Sequence, residues 1–245
     1  MDSKICAIIP TYNNAATLGS VVEQTLQQIE NVIVVNDGCT DQTAEVLRQF
    51  PGVTVVSFAQ NRGKGAALLA GFREARSKGF DYAITLDADG QHFPSEIAHF
   101  IGKNAEFPDA LLVGCRTLTA ENMPRQNTFA NRFSNFWFRL YTWVRLDDTQ
   151  SGYRLYPLRR LSGLRFVTNR YEAELALLVF AAWASVPIVG LPVRVYYPPE
   201  GERVTHFRPF WDFFRISVLN TLLFPAALLY GWPRMLLHRL RGLFR

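Results

Sequence analysis

Five short runs rich in β-branched residues, each followed by a stretch with helical spacing, constrain the fold of this chain more than any other feature. The runs are Ile5–Ile9, Val32–Asn36, Val53–Phe58, Tyr82–Leu86 and Ala110–Cys115, and helical patterns lie between them at 15–28, 41–50, 64–78 and 94–105. Continuous apolar runs suit strands buried on both faces. Strand–helix alternation then predicts an α/β fold, a mostly parallel central sheet with helices on both faces. Right-handed crossovers bring the loops after the strands to one edge, where ligands bind in open α/β sheets. Pro10–Asn14, Asp37–Asp41, Asn61–Lys64, Asp87–Gln91 and Arg116 are therefore expected to converge.

The second half reads differently. An aromatic helical pattern at 124–145 carries Phe129, Phe133, Phe136, Trp137, Leu140 and Trp143, with Arg132 and Arg139 among them. This is the ordinary spacing of a core stripe, though it also suits the entrance for a lipid. A polar loop, Asp147–Tyr153, follows, then a helix at about 171–184, a strand at 186–197 and a turn-rich break at Tyr196–Gly201. One domain is expected over 1–206, with halves at about 1–120 and 121–206, followed by a tail at 207–245.

That tail holds the charge excess. Residues 203–245 contain seven arginines and one acid, a net +6, whereas the whole chain carries +5, so residues 1–202 are left at −1. A body of that sign excludes a nucleic-acid partner, and arginines beside apolar sequence suit an anionic membrane surface. Ile216–Pro233 has 18 residues without charge, the lower limit for a span. Ser217, Asn220, Thr221 and Pro225 weaken that reading, so a helix pair lying in the interface is expected; a core helix with a solvated basic end is the alternative. Cys6, Cys39 and Cys115 lack metal-ligand spacing and read as reduced thiols of a cytoplasmic protein. Met1–Lys4 leads straight into the first strand run, and no leader peptide is expected.

The chemistry sits in the edge loops. Asp87-Ala88-Asp89 ends an apolar run, and two carboxylates there make a hard oxygen site for a divalent cation with positions open to phosphate. Pro10 and Tyr12 end the first strand and can flank a base. Asp37 ends the second and can accept from a base N–H or a ribose hydroxyl. Asn61-Arg62-Gly63-Lys64-Gly65 offers cations and a helix start to a phosphate, although neither the P-loop nor the dinucleotide spacing is present.

In order and spacing, Pro10-Thr11-Tyr12-Asn13, Val35-Asn36-Asp37-Gly38 with Asp41, Asn61-x-Gly63-Lys64-Gly65 and Asp87-Ala88-Asp89-Gly90-Gln91-His92-x-Pro94 resemble the family 2 glycosyltransferases. These are inverting enzymes of the GT-A nucleotide-sugar fold, and the pattern is similar to the dolichyl- and polyprenyl-phosphate sugar synthases among them. The likeness spans roughly residues 4–206. It implies a nucleotide-sugar donor, UDP mildly preferred over GDP, a polyprenyl phosphate or other lipid acceptor, and a place on the inner face of the cytoplasmic membrane. It further implies that Pro10, Tyr12 and Asp37 hold the nucleoside, with Asn14 standing where these enzymes usually have glutamate. Asp87, Asp89 and Gln91 would hold Mg²⁺ or Mn²⁺ on the diphosphate, with Ala88 alongside and Arg116 near the sugar or phosphates. Asp148-Thr149-Gln150-Ser151-Gly152-Tyr153-Arg154 resembles the segment under the acceptor. Gly201–His206 resembles a late Gly-Glu-Ser-Lys region where basic residues meet phosphate; the family's lysine is not matched there, and Arg203 is the cation this segment offers.

Arg116, Arg203 and Lys64 would stabilise charge developing on the leaving diphosphate. A phosphate acceptor needs no general base, whereas a saccharide or lipid hydroxyl does, and Asp148 and Glu172 are the candidates for it. His92 is expected to pack behind the metal ligands rather than join them. Among rival readings, a nucleotidyltransferase lacks its glycine-rich loop after the first strand. An inactive membrane scaffold would not need the acid pair.

Overall fold

The computed structural model describes residues 4–116, 125–163, 168–170, 172–196 and 209–243. Seven strands form one sheet in the order β3-β2-β1-β4-β6-β5-β7. They are β1 (Ile5–Thr11), β2 (Val32–Asn36), β3 (Thr54–Ser57), β4 (Tyr82–Thr85), β5 (Leu111–Arg116), β6 (Arg154–Pro157) and β7 (Ile188–Val193). All neighbours run parallel except β6, which is antiparallel to both β4 and β5. The helices are α1 (Ala15–Leu26), α2 (Thr43–Arg48), α3 (Lys64–Ser77), α4 (Ile97–Glu106), α5 (Arg125–Thr142), α6 (Glu172–Trp183), α7 (Pro209–Ala226) and α8 (Trp232–Leu243).

The five expected strands form. The first runs on through Pro10 to Thr11, for a reason visible in the ladder. Ile8 accepts from Leu86 on the β4 side and Thr11 accepts from Asp37 on the β2 side. Alternation therefore turns the Pro10 nitrogen toward β4, beyond the last β1–β4 pair at Ile8 and Thr85. No ladder bond is lost there by a residue without an N–H.

The sheet is dry on both faces. Leu18, Val22, Ile97 and Phe100 from α1 and α4 cover one face. Phe72, Phe138, Tyr141, Leu178 and Trp183 from α3, α5 and α6 cover the other. The strand order reverses direction between β1 and β4, so the loops after these two strands open a crevice at their C-terminal ends, the usual ligand position.

The tail belongs partly to the core. It is one helical path, with a single π turn at Ala227–Gly231 between α7 and α8, where a helix pair was expected. Leu219, Leu223, Ala227 and Met235 are buried in the same cluster as α5 and α6. A four-residue repeat drifts about 40° per step around an α-helix of 3.6 residues per turn. The wider π turn absorbs part of that drift and keeps Gly231 and Met235 facing the body. Tyr141 donates to the Asn220 carbonyl at 2.9 Å, and Trp183 Nε1 donates to the Tyr141 carbonyl at 2.9 Å. The opposite face stays apolar and exposed: Leu229 is 83 % and Leu222 63 % accessible, with Leu236, Leu237 and Leu240 beside them. By length and composition Arg215–Arg241 is long and apolar enough to cross a membrane, and 28 % of its apolar window is buried against the protein.

Gly231 is where the tail meets the body most closely. A Cβ there would lie 2.3 Å from the Trp183 ring. Gly231→Val should therefore cost about 1–3 kcal/mol by overpacking, a fall of roughly 2–12 °C in Tm for a chain of this size. Thermal unfolding checks it, and an unchanged Tm would show that the tail does not dock on Trp183.

Candidate active site

The loops after β1, β2 and β4 are fastened to one another by side-chain bonds to backbone. The Asn13 side chain accepts from the Thr40 N–H at 2.8 Å, and Asp41 accepts from the Ala15 N–H at 2.9 Å. Thr17 Oγ1 donates to the Ala88 carbonyl at 2.6 Å, joining the start of α1 to the acidic loop. Pro10 and Ala88 are buried, Tyr12 and Asn14 half-buried, and the Asn14 amide turns back to the Tyr12 carbonyl at 3.2 Å.

Asp37 is buried at the end of β2. It accepts from Asn61 Nδ2 at 3.0 Å, the Arg62 N–H at 2.7 Å and the Gly63 N–H at 2.8 Å. Burial pushes its pKa up, against these hydrogen bonds. Its first task is thus to shape the 61–63 loop. About four lone-pair sites per carboxylate leave one open on that count.

Asp87 and Asp89 end β4 on the crevice, as expected, but their surroundings differ. Lys64 Nζ lies 2.7 Å from Asp87 Oδ1 and 2.9 Å from Glu174 Oε2. Burial opposes the charge on Asp87, yet Lys64 overcomes it and holds the pKa at about 2. Lys64 is accordingly an internal counter-charge, which corrects its expected role as a phosphate-facing cation. Among the described residues no ion pair holds Asp89, and the nearby Lys64 charge is outweighed there. Burial, and then the neighbouring Asp87, raise its pKa to about 6. The Gln91 N–H donates to its Oδ1 at 3.0 Å. His92 Nδ1 accepts from the Asp87 N–H at 3.0 Å, and its ring stacks on Tyr153 at 4.9 Å. Burial lowers its pKa to about 4, so it is a neutral support for the loop.

Among the described residues no three His, Cys, Asp or Glu side chains are grouped to hold a metal. What exists is an oxygen-only pair with one carboxylate unneutralised, a donor set that fits Mg²⁺ or Mn²⁺ when further oxygens come from a ligand. Gln91 flanks the pair, and its carbonyl accepts from the Tyr196 N–H at 2.8 Å. Arg203 and His206 lie outside the described residues.

Asp148 is corrected most sharply. It is fully buried and grips Arg116, whose Nε donates to Oδ2 at 2.6 Å and whose Nη2 donates to Oδ1 at 3.0 Å. Asn131 Nδ2 and the N–H groups of Gln150 and Ser151 also donate to Oδ1. Burial opposes its charge, but the bonds from Arg116 keep the pKa below the usual range. A carboxylate so saturated orients Arg116 and is no general base. Glu172 is buried at the start of α6, and its Oε2 has no partner among the described residues. Two residues on, and so about 200° around the helix, Glu174 is the acid that meets Lys64. Sequence reasoning passed over it. The signal was an acid inside a helix apolar on every side, which needs a buried partner. Arg154, fully buried, donates to the carbonyls of Thr149, Ser151 and Glu174 and locks this loop to α6.

The sequence matches the Glycosyl transferase family 2 profile over residues 6–159. The chain belongs to that family. It is a glycosyltransferase, with its acid pair and the loops after β1, β2 and β4 inside the matched region. A UDP-N-acetylglucosamine–dolichyl-phosphate N-acetylglucosaminyltransferase of Methanococcus voltae is 28% identical, covering 80% of this chain and 87% of that one. An undecaprenyl-phosphate mannosyltransferase of Micrococcus luteus is 27% identical, covering 81% and 86%. Among solved structures, glucosyl-3-phosphoglycerate synthase of Mycobacterium tuberculosis, crystallised with Mn²⁺, UDP-glucose and phosphoglyceric acid, superposes with a TM-score of 0.67 at 20% identity, covering 92% and 80%. That likeness establishes the GT-A fold.

Removing one partner of a buried ion pair costs about 3–5 kcal/mol. Asp148→Ala should lower Tm strongly and cut kcat, with the pH–rate profile unchanged in shape. An unaltered Tm together with the loss of one limb of that profile would restore Asp148 as a base.

Proposed function

We propose that the protein transfers a sugar, with inversion, from a UDP-sugar to a polyprenyl phosphate, using a divalent cation held at Asp89 and Asp87. The observation that carries this reading is the pair of acids Asp87 and Asp89 at the crevice between β1 and β4, with Lys64 paired to Asp87 through one oxygen. The names of the dolichyl- and undecaprenyl-phosphate transferases it resembles support the acceptor class. A lipid phosphate is already anionic, which agrees with a loop whose carboxylate is committed to an arginine.

When bound, the cation supplies Lewis-acid neutralisation of the leaving diphosphate. Asp89 and the Asp87 oxygen not taken by Lys64 would hold it, with Gln91 at the edge. Pro10, Tyr12, Asn14 and the remaining lone pair of Asp37 face the nucleoside, next to buried Ala88. Arg116, aimed by Asp148, brings a fixed positive charge to the phosphate oxygens. The acceptor oxygen attacks the anomeric carbon from the face opposite the diphosphate, and no proton has to move.

The exposed apolar face of α7 and α8, flanked by Arg234, Arg239 and Arg241, suits the surface of a membrane holding the acceptor. On this reading the protein sits peripherally on the inner face of the cytoplasmic membrane.

Asp89→Ala should abolish transfer and Mn²⁺-dependent UDP binding while Tm holds or rises, since a like-charge contact is relieved. Retained activity would rule out the cation site. Protons compete for the Asp89 carboxylate, so below pH of about 6 the Mn²⁺ affinity should weaken by about tenfold per pH unit; calorimetric titration reads it. Replacing Arg234, Arg239 and Arg241 with Gln should weaken binding to anionic vesicles by about 1 kcal/mol per charge. Partitioning that ignores both the substitutions and added salt would remove the membrane role.

A further inference from the structure

Glu174 has no place in the steps above, yet it is built into the site. It is buried on α6, and its Oε2 lies 2.9 Å from Lys64 Nζ, which lies 2.7 Å from Asp87 Oδ1. Three elements that are remote in sequence are thereby tied together: the start of α6, the start of α3 and the end of β4. The chain closes over this contact at Gly152. A Cβ there would stand 2.7 Å from Lys64 Nζ and 2.9 Å from Asp87 Oδ2. The α6 end is held in turn, because Arg154 Nη1 donates to the Glu174 carbonyl at 2.8 Å.

Stability is a poor reason for such an arrangement, because well-packed apolar side chains in place of a buried ion triad are as stable or more so. Charge and geometry give a better one. With Asp89 ionised, the carboxylates of Asp87, Asp89 and Glu174 face the single ammonium of Lys64, leaving two negative charges in excess, the charge of one divalent cation. Without Glu174, the Lys64 ammonium would be shared by the acid pair alone, and only one negative charge would be left to attract the cation. A lysine on a flexible stem would also be free to swing toward Asp89.

We propose that Glu174 is a positioning residue of the donor site: through Lys64 it fixes the Asp87 carboxylate and keeps the ammonium from neutralising Asp89. This rests on the reading of Asp87 and Asp89 as the cation site.

The test is a double-mutant cycle on the full chain, with Mn²⁺ binding in the presence of UDP followed by calorimetry and kcat and KM measured alongside. Glu174→Gln keeps the shape and removes the charge. It should weaken Mn²⁺ binding tenfold or more and raise the donor KM more than it lowers kcat, with metal-free UDP binding unchanged. In the Lys64→Met background the same substitution should change Mn²⁺ affinity less than twofold. Gly152→Ala presses on Lys64 and Asp87 without altering any charge, and it should also weaken Mn²⁺ binding. Unchanged Mn²⁺ affinity in Glu174→Gln or in Gly152→Ala, or an undiminished Glu174→Gln effect on top of Lys64→Met, overturns the proposal. Asp89→Asn separates the two readings. Retained Mn²⁺ binding there overturns the cation site itself, whereas loss there with an unaffected Glu174→Gln overturns only the part given to Glu174.

Discussion

Two carboxylates crowded at the dry end of a central strand are the constraint around which this molecule is arranged. Like charges so close cannot both persist in a low-dielectric setting without compensation. Lys64 forms an ion pair with Asp87, and no ion pair among the described residues holds Asp89. The remaining architecture holds that imbalance in place. The parallel sheet aligns the ends of β1, β2 and β4, Thr17 ties α1 to Ala88, and His92 carries the Asp87 backbone from beneath.

A second charged centre, Arg116 with Asp148, uses the opposite logic. Its carboxylate is satisfied from several sides, so the arginine is aimed with little freedom. The helix that carries Asn131 also carries Tyr141, which receives the tail at Asn220. Helix α5 therefore connects the tail with the loop that holds Asp148.

Much of this was legible in the sequence because it follows from local rules. Runs such as Ile5–Ile9 and Val32–Asn36 have no polar face, so they announce strands buried on both sides and hence a parallel sheet. The positions of Asp37, Asp87 and Asp89 at strand ends then follow from topology. Arg154–Pro157 was not legible as a strand. It is four residues long, opens on a buried arginine and runs antiparallel between two parallel neighbours. Asp148 reads as a loop acid because nothing in Asp147–Tyr153 tells that five groups turn inward to it. Glu174 and Lys64 are 110 residues apart, and their meeting depends on how α3 and α6 pack. The tail was legible as apolar and basic. Its docking through Gly231 depends on Trp183, a contact made only in three dimensions.

The central claim is tested most directly by a crystal of the full chain grown with Mn²⁺ and UDP, with anomalous scattering used to find the metal. The account predicts a single manganese peak within coordination distance of an Asp89 carboxylate oxygen and of both UDP phosphates, with Lys64 still on Asp87. UDP seated in the crevice with no manganese at Asp89, or manganese bound away from the end of β4, would contradict it.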